Sequence, residues 1–371
     1  LGGAIQEPDE TSEDNVQFDL DRRANLGEED SSVGGILRLI GSGSGGEVLM
    51  ALGPRPLRTE QLARLLQHVS ERSVYRYTSK LTERQLVNRL EKAGVPSTVI
   101  LSLTDPAGRN LYRLLGRFAA TAEAGLPSAG SAIQSWAPLN LLSQLWDAGF
   151  VERLSHEPQT LTQLAGGPHG LTFHQVTRRM RMFNDIGLVL ACRPGSAGRR
   201  YELTGHGRRR MALVAALGRW RHRFVITGEL TGLTGTEMVT VLRSALPLIL
   251  LPECRGMSFN LGVASAMDKY GHRSVEALQA SVGKDGTISC DQAHQAHQAH
   301  QAHQAHQATV DGSAVGTMNT WFAALLDGNR GRMRSGGNLP LIDACLTQLN
   351  EVLWESPVNA PPVDELALID G

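Results

Sequence analysis

The chain has 371 residues, 41% of them hydrophobic, which is enough for two or three domains with proper cores. Its formal net charge of −1 averages two opposed regions: residues 1–32 carry ten Asp and Glu against two Arg, while residues 170–224 carry twelve Arg against two acids. Charge segregated in this way points to an acidic tail and a basic binding surface, and no apolar run is long enough to span a bilayer, the nearest being Ala245 to Pro252.

The opening residues are acidic, unlike a secretory leader. Cys192, Cys254, Cys290 and Cys345 are scattered without metal-ligand spacing. A reduced, cytoplasmic protein is therefore expected. Residues 1–32 lack periodicity and are rich in Glu, Asp, Ser and Gly, which predicts a disordered tail.

Residues 33–125 read as a first helix-turn-helix module. An apolar helix holds Ile36, Leu37, Leu39 and Ile40, and a Gly/Ser run precedes Val48 to Leu52. Thr59 is placed to cap a helix carrying Leu62, Leu65 and Leu66. Ser70 then opens a second helix in which Val74, Tyr77 and Leu81 face inward at three-and-four spacing. Arg72, Ser73, Tyr75, Arg76 and Lys80 are left to face outward, as on a helix that reads DNA. Leu86 to Leu90 and Thr98 to Leu103 form a hairpin, and Thr104-Asp105-Pro106-Ala107-Gly108 starts a closing helix, Arg109 to Ala122.

Residues 126–134 are a linker by composition, and residues 135–225 repeat the plan. Trp136 to Leu154 reads as one helix and Gln159 to Ala165 as a support helix. Thr172 caps a third helix whose apolar stripe is Phe173, Val176, Met180, Phe183 and Ile186. Its other side presents His174, Gln175, Thr177, Arg178, Arg179 and Arg181. Leu188 to Leu190 and Tyr201 to Leu203 are strands joined by a basic turn holding Arg199 and Arg200. Thr204-Gly205-His206-Gly207 answers the helix start of the first module, and Arg208 to Phe224 closes the second. A polar, Arg-rich helix followed by a basic hairpin is the recognition helix and wing of a winged helix-turn-helix; the plain alternative is a solvated amphipathic helix with a surface hairpin.

Both modules resemble HxlR-type winged-helix transcriptional regulators within the wider MarR/ArsR-like group. The matching stretches are LRTEQLARLLQHVSERSVYRYTSKLTERQLVNR and VILSLTDPAGRNL in the first module, and TLTQLAGGPHGLTFHQVTRRMRMFNDIGLVLAC and RRYELTGHGRRR in the second. Together they cover about half the chain. The resemblance implies duplex DNA as partner. Two features depart from it. Neither module has a Cys before its first helix, and two unlike modules are fused where the family pairs single-module chains, which bears on whether the operator is a palindrome.

Residues 226–356 change character. Glu237 to Leu250 is helix-like, and Met257 to Val263 alternates as a half-buried strand does. Thr287 to Cys290, Ala308 to Gly312 and Arg332 to Gly336 read as further strands, and Met318 to Leu326 and Asn338 to Trp354 as helices. ATVDGSAVGTMNTWFAALLDG and NLPLIDACLTQL resemble the sterol-carrier-protein-like fold, whose helix and sheet enclose an apolar cavity for lipid-like ligands. By that resemblance Phe259, Leu261, Trp321, Phe322 and Leu325 line the space, and Gly262, Ala264, Ala266, Ala323 and Ala324 leave room around it. The plain alternative is a filled core that serves dimerisation.

Gln292 to His306 holds five Gln-Ala-His copies. On a helix, His residues three apart drift by about 60° per step, so five cannot converge on one metal, although one adjacent pair could chelate weakly. The segment reads as a low-complexity hairpin insertion without chemistry, and residues 357–371 as a flexible tail. No phosphate-binding loop, zinc-protease motif or nucleophile elbow is present, and no cofactor or metal is expected.

The expected fold class is thus α+β: two winged helix-turn-helix domains in tandem, then a mixed α+β, sterol-carrier-like domain. The expected function is transcriptional regulation without catalysis. The partners are double-stranded DNA and an apolar or lipid-like ligand of the C-terminal domain, with no membrane. The chain acts as a monomer with an internal pseudo-dimer or as a homodimer. The alternatives are a ligand-independent architectural or phage-type DNA binder, and a winged-helix scaffold for protein partners.

Overall fold

A computed structural model describes residues 33–41, 44–92, 98–123, 136–167, 170–192, 198–224, 233–264, 274–290 and 310–354. The acidic tail, the 126–134 linker, the Gln-Ala-His copies, Ala266 and the 357–371 tail lie outside the described residues.

The first unit runs α1 (Val33–Gly41), α2 (Gly45–Leu52), β1 (Leu57–Arg58), α3 (Thr59–Leu65), α4 (Glu71–Glu83), β2 (Val87–Lys92), β3 (Thr98–Leu103) and α5 (Ala107–Glu123). The second keeps the same order: α6 (Ala137–Asp147), α7 (Phe150–His156), β4 (Gln159–Thr160), α8 (Leu161–Ala165), α9 (Phe173–Asp185), β5 (Val189–Ala191), β6 (Arg200–Leu203), α10 (Gly205–Arg209) and α11 (Met211–Phe224). Their sheets have matching strand orders, β1-β3-β2 and β4-β6-β5. Registers match too: Val87 faces Leu103 and Val189 faces Leu203, while Leu57 faces Leu101 and Gln159 faces Tyr201.

The repetition extends to single hydrogen bonds. The amide of Leu86 donates to Leu81 at 2.9 Å, and that of Leu188 to Phe183 at 2.9 Å. Thr104 accepts from the Gly108 amide at 3.0 Å and Thr204 from the Gly207 amide at 2.9 Å, so each hydroxyl caps the helix that follows its hairpin. Between α4 or α9 and the hairpin that follows, the backbone must turn left-handed. Gly187 does so at φ 71°, and its counterpart Gln85 does so at φ 56°, against the steric preference of an L side chain.

Several expected elements differ. The helix expected from Trp136 to Leu154 is two, because Gly149 at φ 63° breaks it. The closing helix of the second unit is likewise divided, at Arg210. Thr59 is the first helical residue rather than the cap; the amide of Arg58 instead donates to the Gln61 side chain at 2.9 Å. Gln159 and Thr160, expected in a helix, form β4, and β1 and β4 supply each sheet with a third strand.

The third unit holds α12 (Gly235–Ala245), β7 (Ser258–Ala264), β8 (Val275–Val282), β9 (Ile288–Cys290), β10 (Gly312–Thr317), α13 (Met318–Asp327), β11 (Arg334–Gly337) and α14 (Leu339–Trp354). α12 is shorter than expected, with a 3-10 turn over Leu246–Leu248 following it. The strand expected over Ala308 to Gly312 begins at Gly312, and β8 was not expected at all. The sheet order is β11-β10-β7-β8-β9, with β10 parallel to β7 and the other pairs antiparallel. β9 and β10 are not neighbours, so the strands flanking the Gln-Ala-His copies do not form the expected hairpin. Phe259, Leu261 and Val263 from β7, with Leu278, Ala280 and Val282 from β8, are buried, and α12, α13 and α14 all pack against the sheet.

The units are joined by helices. α1 is buried along almost its whole length and lies on α6, its counterpart in the second unit. A Cβ at Gly41 would sit 2.3 Å from the Asn140 amide nitrogen, so only glycine permits that approach. Arg38 pairs with Asp147 across the same contact. α11 is the most central helix. It packs on α5, where the Trp220 indole donates to the Ala107 carbonyl at 3.0 Å, and on α12 and α13 of the third unit.

Candidate nucleic-acid interface

Helices α4 and α9 align without a gap when Ser70 is set against Thr172, an offset of 102 residues. Each starts with a side-chain cap: Ser70 accepts from the Ser73 amide at 3.3 Å, and Thr172 from the Gln175 amide at 3.3 Å. In α9 the Gln175 side chain also accepts from the Thr172 amide at 2.9 Å, completing a capping box that satisfies two otherwise unpaired donors. Val74, Tyr77 and Leu81 bury one face of α4, and Val176, Met180 and Phe183 the matching face of α9.

The opposite faces carry the expected side chains. On α4, Arg72, Tyr75, Arg76 and Lys80 are exposed and Ser73 is half-buried. On α9, Thr172, His174, Arg178 and Arg181 are exposed, while Gln175, Thr177 and Arg179 are half-buried. Thr177 donates to the Phe173 carbonyl at 2.8 Å, so its hydroxyl is partly spent on its own helix. Arg76 and Arg178 occupy the same position of the repeat, and Ser79, not singled out from the sequence, is exposed at the position of Arg181.

Phe173 is a correction. The sequence stripe put it in the core, but it is 54% exposed. It is the first helical residue, and the buried residues of the helix begin at Val176.

The hairpins differ in charge. Arg199, just before β6, and Arg200, its first residue, are exposed. In the first hairpin Arg89 is paired with Glu91 at 2.9 Å, so its charge is partly neutralised within the hairpin. The Arg count of residues 170–224 also overstates the binding surface. Arg210 and Arg221 are buried, at 9% and 4% exposure. Arg210 lies 4.6 Å over the Phe118 ring, Arg219 pairs with Asp327 at 2.7 Å, and Arg208 donates to the Ser244 carbonyl at 3.2 Å. These side chains join units and do not reach outward.

Two histidines sit at those joints. Arg243 of α12 lies 2.7 Å from Nε2 of His156 at the end of α7, and Arg210 lies 3.3 Å from Nε2 of His206. Burial, then the Arg243 charge, holds the His156 imidazole below its usual value against the opposing pull of Glu152 and Glu157. Burial, then Arg210 and Arg209, does the same at His206.

In the third unit Phe259, Leu261, Trp321, Phe322 and Leu325 are each at most 1% exposed, with the Phe322 ring turned toward Gly218 and His222 of α11. The Trp321 indole donates to the Gly262 carbonyl at 2.9 Å, and the space beside Gly262 is taken by the methyl groups of Val275 and Val315. Among the described residues no cluster of His, Cys, Asp and Glu is arranged to hold a metal, and no helix is long and apolar enough to cross a membrane.

Residues 39–128 match the family described as HxlR-like helix-turn-helix. That span is 90 of the 371 residues and covers the first unit from within α1. The match thus falls on the first unit and is a likeness of that unit to an HxlR-like helix-turn-helix. Solved structures with similarity include diamide-treated YodB from B. subtilis, 20% identical over 25% of this chain and 92% of that one, with a TM-score of 0.23. The reduced form of YodB is 21% identical over 25% and 89% of the two chains, with a TM-score of 0.23. A putative MarR-family transcriptional regulator from Porphyromonas gingivalis W83 is 16% identical over 33% and 100%, with a TM-score of 0.22. No curated protein matches this chain.

Proposed function

We propose that this chain is a DNA-binding transcriptional regulator in which two unlike winged helices, α4 with its hairpin and α9 with its hairpin, read duplex DNA. The observation that supports it most is the repeat itself. Two frames of matching strand order each present a capped helix with an outward Arg, Arg76 or Arg178, and the two are joined through α1 and α6. On this reading the second unit grips harder, since Arg178, Arg181, Arg199 and Arg200 all face outward there. The protein is no catalyst, and the third unit holds the second in place through α11, α12 and α13. Control by an apolar ligand would require buried side chains to part, because Phe259, Leu261, Trp321, Phe322 and Leu325 are each at most 1% exposed.

The test is duplex binding as a function of salt. If about six phosphates are neutralised, affinity falls by roughly a thousandfold between about 50 and 200 mM salt. Affinity that ignores salt, or no binding at low salt, rejects the reading.

A further inference from the structure

Phe173 is the one apolar side chain of α9 that its own unit leaves in water. It is 54% exposed, while Val176, Met180 and Phe183 are each at 0%. The fold does not need it there. Capping at this end is done by Thr172 and Gln175, and the matching position of α4 is Glu71. On its own helix Phe173 stands among exposed polar and basic side chains, His174, Arg178 and Arg181; the unit's other exposed large apolar side chain, Leu190, is on β5. The major groove of DNA offers acceptors and donors on every base pair but a single apolar group, the C5-methyl of thymine. A lone phenyl ring within a basic, hydrogen-bonding surface has that methyl as its natural complement.

Resting on the DNA-reading role given above, we propose that Phe173 is a specificity-determining residue that packs on a pyrimidine C5-methyl in the major groove, with thymine as its source. Arg178 and Arg181 bring the helix to the groove, and Phe173 selects one base step within the half-site read by α9. The first unit exposes its aromatic elsewhere. Tyr75, 48% exposed, stands at the position of Thr177, so the two helices place an aromatic at different turns and prefer different half-sites.

The experiment uses the full chain and duplexes enriched by it from a random-sequence pool. In the best duplex each thymine is replaced in turn by deoxyuridine, which lacks only the methyl group. Wild-type protein is expected to lose about fourfold in affinity at one position, the worth of one methylene-sized apolar contact. Phe173→Ala is expected to bind the thymine and deoxyuridine duplexes alike at that position, and to melt at the wild-type temperature because the ring is exposed. Cytosine and 5-methylcytosine are then compared at the same position. Wild type is expected to prefer the methylated base, and the variant to ignore the difference. The proposal is overturned if no thymine shows this coincidence, or if Phe173→Ala weakens every duplex equally. Tighter binding of 5-methylcytosine than of thymine overturns thymine as the source. Failure to enrich any duplex rejects the DNA-reading role itself, and this proposal with it.

Discussion

Arg178 and Arg200 are both exposed arginines of the second unit, yet they sit on different elements and should do different work. From the reading helix, an arginine can grip guanine with two hydrogen bonds; from beside the hairpin, it meets phosphate. Arg178→Ala is therefore expected to relax preference at one base pair by roughly 1–3 kcal/mol, while Arg200→Ala lowers affinity for all sequences alike. Competition binding with single-base variants of an enriched site separates the two, and equal loss everywhere for Arg178→Ala would contradict the assignment. His156 supplies a second prediction. Its folded pKa is depressed, so the folded state refuses a proton that the unfolded chain accepts below about pH 6.5. That stability is present above the unfolded value and is lost as pH falls toward the folded one. Thermal melts of the intact chain should drop between about pH 7.5 and 5.5, and His156→Gln, whose amide oxygen still accepts from Arg243, should show a smaller drop. An unchanged profile in the variant removes His156 as the cause. Neither histidine was singled out in the sequence; Arg243 lies 87 positions from His156, and nothing local announces the contact.

At the scale of elements, the period and the caps were legible. Ser70 and Thr172 cap the helices expected of them, and the inward sets of α4 and α9 are buried as their spacing implies. Phe173 was misplaced because a periodic stripe counts every apolar residue on one side, whereas a helix touches its neighbours only along part of its length. The two-residue strands β1 and β4 carry too few residues to show a period, and exist because β3 and β6 offer them a free edge. β8 was missed because its inward residues, Leu278, Ala280 and Val282, are interleaved with small ones such as Ala277 and Ser281, which blunts the alternation. The α1–α6 contact yields a prediction in which local and tertiary preference oppose each other. Helix propensity alone favours Gly41→Ala by about 1 kcal/mol. The 2.3 Å approach of a Cβ to the Asn140 backbone overrules it. Overpacking of this kind costs about 1–3 kcal/mol, so urea unfolding of the variant is expected to show net destabilisation. A more stable variant would show that α1 and α6 are not held this close.

For the whole molecule, the consequence is symmetry. A repeat inside one chain, joined through α1 and α6, gives a single chain two reading helices with different outward residues: Glu71, Tyr75 and Ser79 on one where Phe173, Thr177 and Arg181 stand on the other. One chain is then sufficient for one asymmetric site, with unlike half-sites about one helical turn apart. Measuring stoichiometry on an enriched duplex, by mass of the complex in solution, is expected to give one chain per site. Two chains on a palindrome would refute the pseudo-dimer.

The sequence by itself determined what is local and periodic: the repeat, its caps, the buried faces of α4 and α9, the basic character of the second unit, and the likeness of the first to an HxlR-like helix-turn-helix. These depend on contacts within a few residues or on the spacing of apolar side chains along one element, and so they are written in the order of the residues. Only the tertiary structure decided which arginines face outward, that Phe173 is exposed, that Gly41 is held against the Asn140 backbone, and that the group around Trp321 is packed. Each of those depends on which distant element comes to lie alongside, and burial or exposure of a side chain is set by that neighbour and not by the residue itself.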